Sequence, residues 1–242
     1  MKLYSWNVNG IRAAEKKGFL DWLEKTRVDI LCLQETKANM DQLSDAVLKD
    51  HGYYAYFHSA EKRGYSGVAT FCKSKPLYVQ EGLGLERYDR EGRVLLTEHN
   101  NFLLYNIYFP NGQKNDERLQ YKLDFYDDLL LIINEQVDSG MNVVVTGDWN
   151  TAHHPIDLAR PQANIKISGF MPIERERLDT YVAHGWRDTF REFHEEGDRY
   201  SWWSYRTGAR DRNIGWRIDY FFVNEGMLDL CVDADIHSDV YG

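Results

Sequence analysis

The chain has 242 residues, 38 Asp+Glu against 29 Lys+Arg for a formal charge of −9, with 43% hydrophobic and 14% aromatic residues. This excludes a disordered tail, a collagen-like fibre and a disulfide mini-protein, and the simplest organisation is one domain over 1–242. No run approaches the roughly 18 apolar residues that span a bilayer, and the opening Met1-Lys2-Leu3-Tyr4-Ser5-Trp6 reads as strand, so a soluble, cytoplasmic protein with no membrane partner is expected.

In chain order, short apolar runs predict strands over 3–6, 30–33, 67–72, 94–97, 103–108, 143–146 and 218–223. Helices are predicted over 19–23, 40–48 and 172–182, the last with a proline near its first turn. The clearest is 119–137, where Leu119, Leu123, Tyr126, Leu130, Ile133 and Val137 step by four and three along one stripe and Asp116 is placed to cap. Strands alternating with helices give a layered α/β or α+β domain. Cys32, Cys72 and Cys231 lie far apart and read as buried reduced thiols; Trp22 and Trp186 read as core.

Polar residues follow several of the apolar runs: Asn7 and Asn9, then Gln34 and Glu35, Tyr108 and Asn111, Asp148 and Asn150, with Asp219 inside Arg217-Ile218-Asp219-Tyr220. They are expected to gather at one edge of the sheets, and i, i+2 spacing puts Asn7 with Asn9, and Asp148 with Asn150, on one side if the extended backbone continues. Any one of them alone reads as a turn cap; together they form an oxygen-ligand set without Cys or paired His, which suits Mg²⁺ or Mn²⁺. His153 and His154 are adjacent and read as structural. The acidic balance argues against indiscriminate nucleic-acid binding but leaves room for a local basic face near Lys62-Arg63, Arg87 to Arg93 and Arg206 to Arg217.

Seven stretches in order resemble the exonuclease III family of AP endonucleases: Ser5-Trp6-Asn7-Val8-Asn9-Gly10-Ile11-Arg12, Leu33-Gln34-Glu35-Thr36-Lys37, Gly64-Tyr65-Ser66-Gly67-Val68, Tyr108-Phe109-Pro110-Asn111, Gly147-Asp148-Trp149-Asn150, Ser168-Gly169-Phe170 and Asn213 to Phe221. The likeness is nearest to archaeal and bacterial members. It implies a DNase I-like four-layer α/β sandwich, two mixed β-sheets packed face to face and flanked by helices. It further implies an enzyme that cleaves double-stranded DNA on the 5′ side of abasic or damaged sites with Mg²⁺, Mn²⁺ being able to substitute, and that trims 3′ ends; a monomer is the default expectation for an enzyme that wraps a duplex. Carried over by position, Glu35 is the metal ligand with Asn7 beside it, Asp148 handles the proton, Asn150 positions the water or phosphate, and Tyr108 and Asn111 contact the scissile phosphate. Asp219 orients a histidine. Trp202, Trp216 and Ile218 enclose the flipped-out sugar, Lys114 and Arg206 enter the bent duplex, and Arg12, Tyr65 and Asn164 complete the DNA contacts.

Two departures from the pattern are visible. Asn9 stands where Asp is common, and the sequence closes at Ser238-Asp239-Val240-Tyr241-Gly242 without the family's Ser-Asp-His motif. On that ground the chain is expected to be truncated before a last strand and to cut slowly, since a positioned acid or base contributes about 10² to 10⁴ in rate. Two other readings stay open: a protein that binds abasic DNA without cutting it, and a phosphoesterase of the same broad fold acting on inositol phosphates or lipids.

Overall fold

A computed structural model describes residues 1–49, 51–205 and 208–240. The chain divides into two compact units, Met1–Tyr108 with Val145–Asp148, and Phe109–Val144 with the chain from Trp149 onward.

The first unit contains β1 (Leu3–Asn7), α1 (Ile11–Lys16), α2 (Phe19–Thr26), β2 (Ile30–Gln34), α3 (Asp45–Leu48), β3 (Tyr54–His58), β4 (Val68–Cys72), β5 (Tyr78–Glu81), α4 (Glu86–Asp89), β6 (Val94–His99) and β7 (Phe102–Tyr108). It also holds the C-terminal part of β8 (Val143–Asp148). One sheet has the order β1-β2-β4-β3 and is mixed: β1 runs parallel to β2, while β2–β4 and β3–β4 are antiparallel. In the other sheet β5-β6-β7-β8 lie side by side. β2 and β4 are buried along their whole length, as continuous apolar runs covered on both faces should be. One cover is helical: Ile11 of α1 and Phe19 and Leu23 of α2 join Leu31, Leu33 and Phe71 in a core cluster, and the i, i+4 pair Phe19 and Leu23 is what turns that face of α2 inward. The other cover is the second sheet. Asn106 of β7, wholly buried, sends its Nδ2 to the carbonyl of Ala69 at 2.8 Å and accepts from Gln34 Nε2 at 2.8 Å, so a polar lock joins the two sheets inside this unit.

The second unit contains α5 (Asp116–Asp138), α6 (Pro161–Asn164), α7 (Pro172–Ala183), β9 (Trp186–Asp188), α8 (Thr189–Phe193), β10 (Trp202–Trp203), β11 (Gly215–Trp216) and β12 (Asp219–Asn224), with the first residues of β8. Here β8-β12-β9 are neighbours, and β10 pairs with β11 as a two-stranded ribbon. Its centre is aromatic: Phe109 stacks on Trp149 with centroids 4.2 Å apart, and Trp149 meets Tyr181 at 5.2 Å and Phe222 at 4.7 Å. Each such pair contributes about 0.5–1.5 kcal/mol beyond burial.

Several sequence expectations need correction. Residues 40–48 do not form one helix: a single tight turn, Met40–Gln42, is followed by extended Leu43 and Ser44, and the Ser44 side chain accepts from Val47 N–H and starts α3 afresh. α5 is capped by Asn115, whose side chain accepts from Arg118 N–H at 2.9 Å, while Asp116 sits in the first turn where its charge meets the positive helix end. Cys32 and Cys72 are buried, but Cys231 is only half-buried. Trp186 is core, whereas Trp22 is partly buried at the rim of the first cluster. β5 and β9 escape periodicity because they are short and partly polar, and β3, although five residues long and largely aromatic, was not anticipated either. No helix among the described residues is long and apolar enough to cross a membrane.

Candidate active site

The first unit brings Asn7, Glu35, Tyr108 and Asp148 together. Asn7 closes β1 and its Nδ2 donates to Glu35 Oε1 and to Asp148 Oδ2, both at 2.8 Å, so one amide bridges two carboxylates. Asp148 is delivered by Gly147, which has φ +135° and lies so close to β7 that a Cβ would stand 1.9 Å from the Ile107 carbonyl oxygen. Only glycine lets the strand pass there. Glu35 is half-buried and its second oxygen takes an ion pair from Lys37 Nζ at 2.6 Å. Tyr108 ends β7; burial first, and then the charges of Glu35 and Asp148, push its hydroxyl well above the usual tyrosine range against the pull of Arg93. The result is a phenol that stays a hydrogen-bond donor.

The backbone after these strands does not stay extended. Asn9 and Glu35 have φ 47° and 52°, and Asn150 has φ 52°. Asn9 and Asn150 are therefore not placed by extended continuation; Asn9 N–H instead folds back onto Asn7 Oδ1 at 2.9 Å. Left-handed non-glycine residues cost energy and gather at functional sites.

The second unit places Asn111 and Asn150 in contact. Asn111 Nδ2 donates to Asn150 Oδ1 at 3.0 Å, and Asn150 Nδ2 donates to the Phe109 carbonyl at 2.9 Å. Asp219 begins β12 and accepts from the Ser201 hydroxyl at 2.6 Å. The segment before it is fixed by Arg217, which is fully buried, donates Nε to Asp157 at 2.8 Å and a terminal nitrogen to Asp188 at 2.7 Å. Ile218 is buried with Ala152, Leu158 and Phe170, and Trp216 packs against that cluster. Phe170 and Trp216 meet edge to face, and Trp202 pairs with Trp216 across the β10–β11 ribbon. Trp216 and Ile218 thus share an apolar cluster with Phe170, and Trp202, itself exposed, is joined to it by its strand pairing with Trp216.

The remaining predicted residues are more peripheral. Tyr65 is held by Arg93, whose guanidinium donates to its hydroxyl at 2.8 Å and to the Tyr108 carbonyl at 2.9 Å. Arg12 is exposed and lines an open groove with Lys37 and Gly64. Lys114 is exposed in the loop before α5, and Asn164 is half-buried with its Nδ2 on the Arg160 carbonyl at 2.8 Å. Arg206 lies outside the described residues. His153 is structural as expected: buried, with Nε2 at 2.8 Å from Asp179 Oδ1. Arg93 was read only as part of a basic run, and Asn106, Ser201 and the buried Lys122 and Glu174 were missed by sequence reasoning.

The donor set suits a hard divalent cation. Glu35 and Asp148 offer two carboxylates, Asn7 adds an amide, and no group of three or more His, Cys, Asp or Glu able to hold a metal exists among the described residues. Mg²⁺ uses one or two carboxylates and keeps waters, so the set fits it better than it fits Zn²⁺.

The model of the Endonuclease/Exonuclease/phosphatase family matches residues 4–241. The chain is 45% identical over 244 residues to the exodeoxyribonuclease of Bacillus subtilis (strain 168), covering 100% of this chain and 95% of that one. Among solved structures, the catalytic domain of Xenopus laevis APE2 superposes with TM-score 0.90 at 34% identity, covering 100% of this chain and 88% of that one. An AP endonuclease from Archaeoglobus fulgidus gives TM-score 0.87 at 31% identity, covering 96% and 90%. The two-sheet α/β fold flanked by helices that the sequence led us to expect is thus the fold of this chain, which belongs to the endonuclease/exonuclease/phosphatase family and, within it, to the enzymes of AP endonuclease and exodeoxyribonuclease III type.

Proposed function

We propose that this enzyme hydrolyses the phosphodiester on the 5′ side of abasic sites in double-stranded DNA, that it also trims 3′ ends, and that it works as a monomer with Mg²⁺, for which Mn²⁺ substitutes. The observation that carries the reading is the Asn7 amide set between Glu35 and Asp148 at 2.8 Å from each. Two carboxylates held by one neutral donor can be assigned different tasks, one to a cation and one to a proton.

Glu35, with Asn7 beside it, would hold the cation, which when bound supplies positive charge to the phosphate oxygens. Asp148 takes the proton of the attacking water or returns one to the leaving oxygen. Tyr108, kept neutral by its surroundings, donates its O–H to a phosphate oxygen, and the amides of Asn111 and Asn150 position phosphate and water. Asp219 is assigned, by the resemblance alone, to orienting a histidine. Water attacks phosphorus directly and the 3′ oxygen leaves, so no covalent intermediate is needed.

Selectivity is assigned to the wall of Trp216, Ile218 and Phe170, with Trp202 adjoining. A sugar without a base leaves the duplex at little stacking cost and fits an apolar pocket that a normal nucleotide would overfill. Arg12, Tyr65, Lys114, Asn164 and Arg206 are assigned to the DNA backbone and grooves. The names of the similar proteins, an exodeoxyribonuclease and an AP endonuclease, support DNA as the substrate.

The test is single-turnover nicking of a duplex carrying one abasic site, with Mg²⁺ and with EDTA, beside an intact duplex and an inositol phosphate. Mg²⁺-dependent cleavage 5′ to the site is expected. Binding without cleavage would support a lesion-binding protein, and phosphate release from the inositol phosphate alone would overturn the reading.

A further inference from the structure

Lys122 and Glu174 are both wholly buried, and their side chains meet at 2.6 Å. Burying such a pair gives up the hydration of two charges, and well-packed apolar residues would often serve stability as well. What the pair does is visible in its other bonds. Lys122 Nζ also donates to the main-chain carbonyl of Asn150 at 2.7 Å. Glu174 Oε1 accepts from the Ser168 hydroxyl at 2.8 Å, and Oε2 accepts from Gly169 N–H at 2.6 Å and Met171 N–H at 3.1 Å.

The carbonyl that Lys122 grips belongs to a left-handed residue, Asn150 at φ 52°. The loop that Glu174 grips packs on that same carbonyl: a Cβ on Gly169 would stand 3.2 Å from Asn150 O and 3.3 Å from the Trp216 ring. The Gly169 carbonyl in turn accepts from Ala152 N–H at 2.8 Å. One ion pair therefore joins α5, α7, the turn carrying Asn150 and the loop packed against Trp216.

We propose that Lys122 and Glu174 are positioning residues: the buried pair holds the Asn150 turn in its left-handed form and so aims the Asn150 side chain. This rests on the proposed phosphodiester cleavage for its kinetic consequence, but the positioning itself can be read without turnover.

A lone Lys122→Met leaves a buried carboxylate uncompensated and is prone to unfold, so the informative variant is Lys122→Met with Glu174→Gln, which removes both charges and keeps a side-chain oxygen for Gly169 N–H. Should it fail to fold, Glu174→Gln alone is read in the same way. Three quantities are measured: affinity for an abasic duplex in EDTA, the single-turnover nicking rate with Mg²⁺, and the side-chain amide signals of Asn150 by NMR. The expected result is affinity within about threefold of wild type and a rate lower by about 10- to 100-fold, the scale of a misplacement near 1 Å. The same changes made on Asn150→Ala should add little further slowing, because the pair acts through that side chain. The Asn150 amide signals should shift and lose their protection. Nicking at the wild-type rate, or equal slowing on both backgrounds, would overturn the proposal and leave the pair structural. If the wild-type enzyme does not nick, the proposed function fails instead, and unchanged Asn150 amide signals would then overturn the positioning claim by themselves.

Discussion

Replacing Arg217 with Met tests how the segment leading into Asp219 is fixed. The guanidinium is fully buried between Asp157, also fully buried, and Asp188, 8% exposed. Burial by itself opposes the charge, but Asp188 and Asp157 more than compensate, and the proton is held more firmly than in free arginine. Removing one partner from a buried pair costs about 3–5 kcal/mol. Asp157 keeps Arg191 at 2.6 Å and the His154 N–H at 2.9 Å, and Asp188 still accepts from Phe190 N–H at 3.2 Å, so the lower end, about 3 kcal/mol, is expected. For 150 to 250 residues unfolding cooperatively, each kcal/mol moves the midpoint by about 2–4 °C, giving a drop of about 6–12 °C. Thermal unfolding followed by tryptophan fluorescence and far-UV circular dichroism measures it. Adding Asp188→Leu should recover part of the loss, because the carboxylate that lost its partner is then gone. A midpoint within about 2 °C of wild type for Arg217→Met would refute the reasoning.

Gly147→Ala should be severely destabilising, by about 2–6 kcal/mol from overpacking and backbone strain together, because its Cβ meets the Ile107 carbonyl at 1.9 Å; a urea midpoint near wild type would show that β8 can move. Asn106→Leu should cost about 1–3 kcal/mol, since it leaves the buried Gln34 donor that now sits 2.8 Å from Asn106 without its acceptor, and urea unfolding reads this directly. His153 is held below its ordinary value of 6.5, by burial first and by His154 next, against the pull of Asp179. The folded state thus favours the neutral ring, so this contribution is fully present above the unfolded pKa of 6.5 and is lost as pH falls through the lower folded value. Thermal midpoints of His153→Gln between about pH 7.5 and pH 5 should slope less than those of wild type, and parallel profiles would contradict the assignment.

What the sequence made legible was local. An apolar run ending in a polar residue locates a strand and its last side chain, and so Asn7, Tyr108 and Asp148 could be picked out before any coordinates. The bends beyond those strands were not legible, because Asn9 and Asn150 turn left-handed where extended continuation was the natural expectation. Partners far apart in sequence were also invisible. Asn106 looks like an ordinary strand residue until β7 lies on β2 and β4, and its bonds to Gln34 and Ala69 cross 72 and 37 positions. Lys122 did leave a trace: it sits three residues after Leu119 and four before Tyr126, on the apolar stripe of α5, where a lysine needs a buried partner. Glu174, two residues after the first-turn proline of α7, carried the capping signal of an acid in the first turn, yet nothing in the sequence tied it to Lys122.

The most direct test of the account is Asp148→Asn, assayed for single-turnover nicking of the abasic duplex and for binding in EDTA. An asparagine can still accept from Asn7 Nδ2, 2.8 Å away in the wild-type protein, but it cannot take a proton from water. The account predicts affinity unchanged within about threefold and nicking slower by about 10² to 10⁴. Nicking at the wild-type rate would contradict it, because the carboxylate bridged by Asn7 would then carry no proton in the reaction.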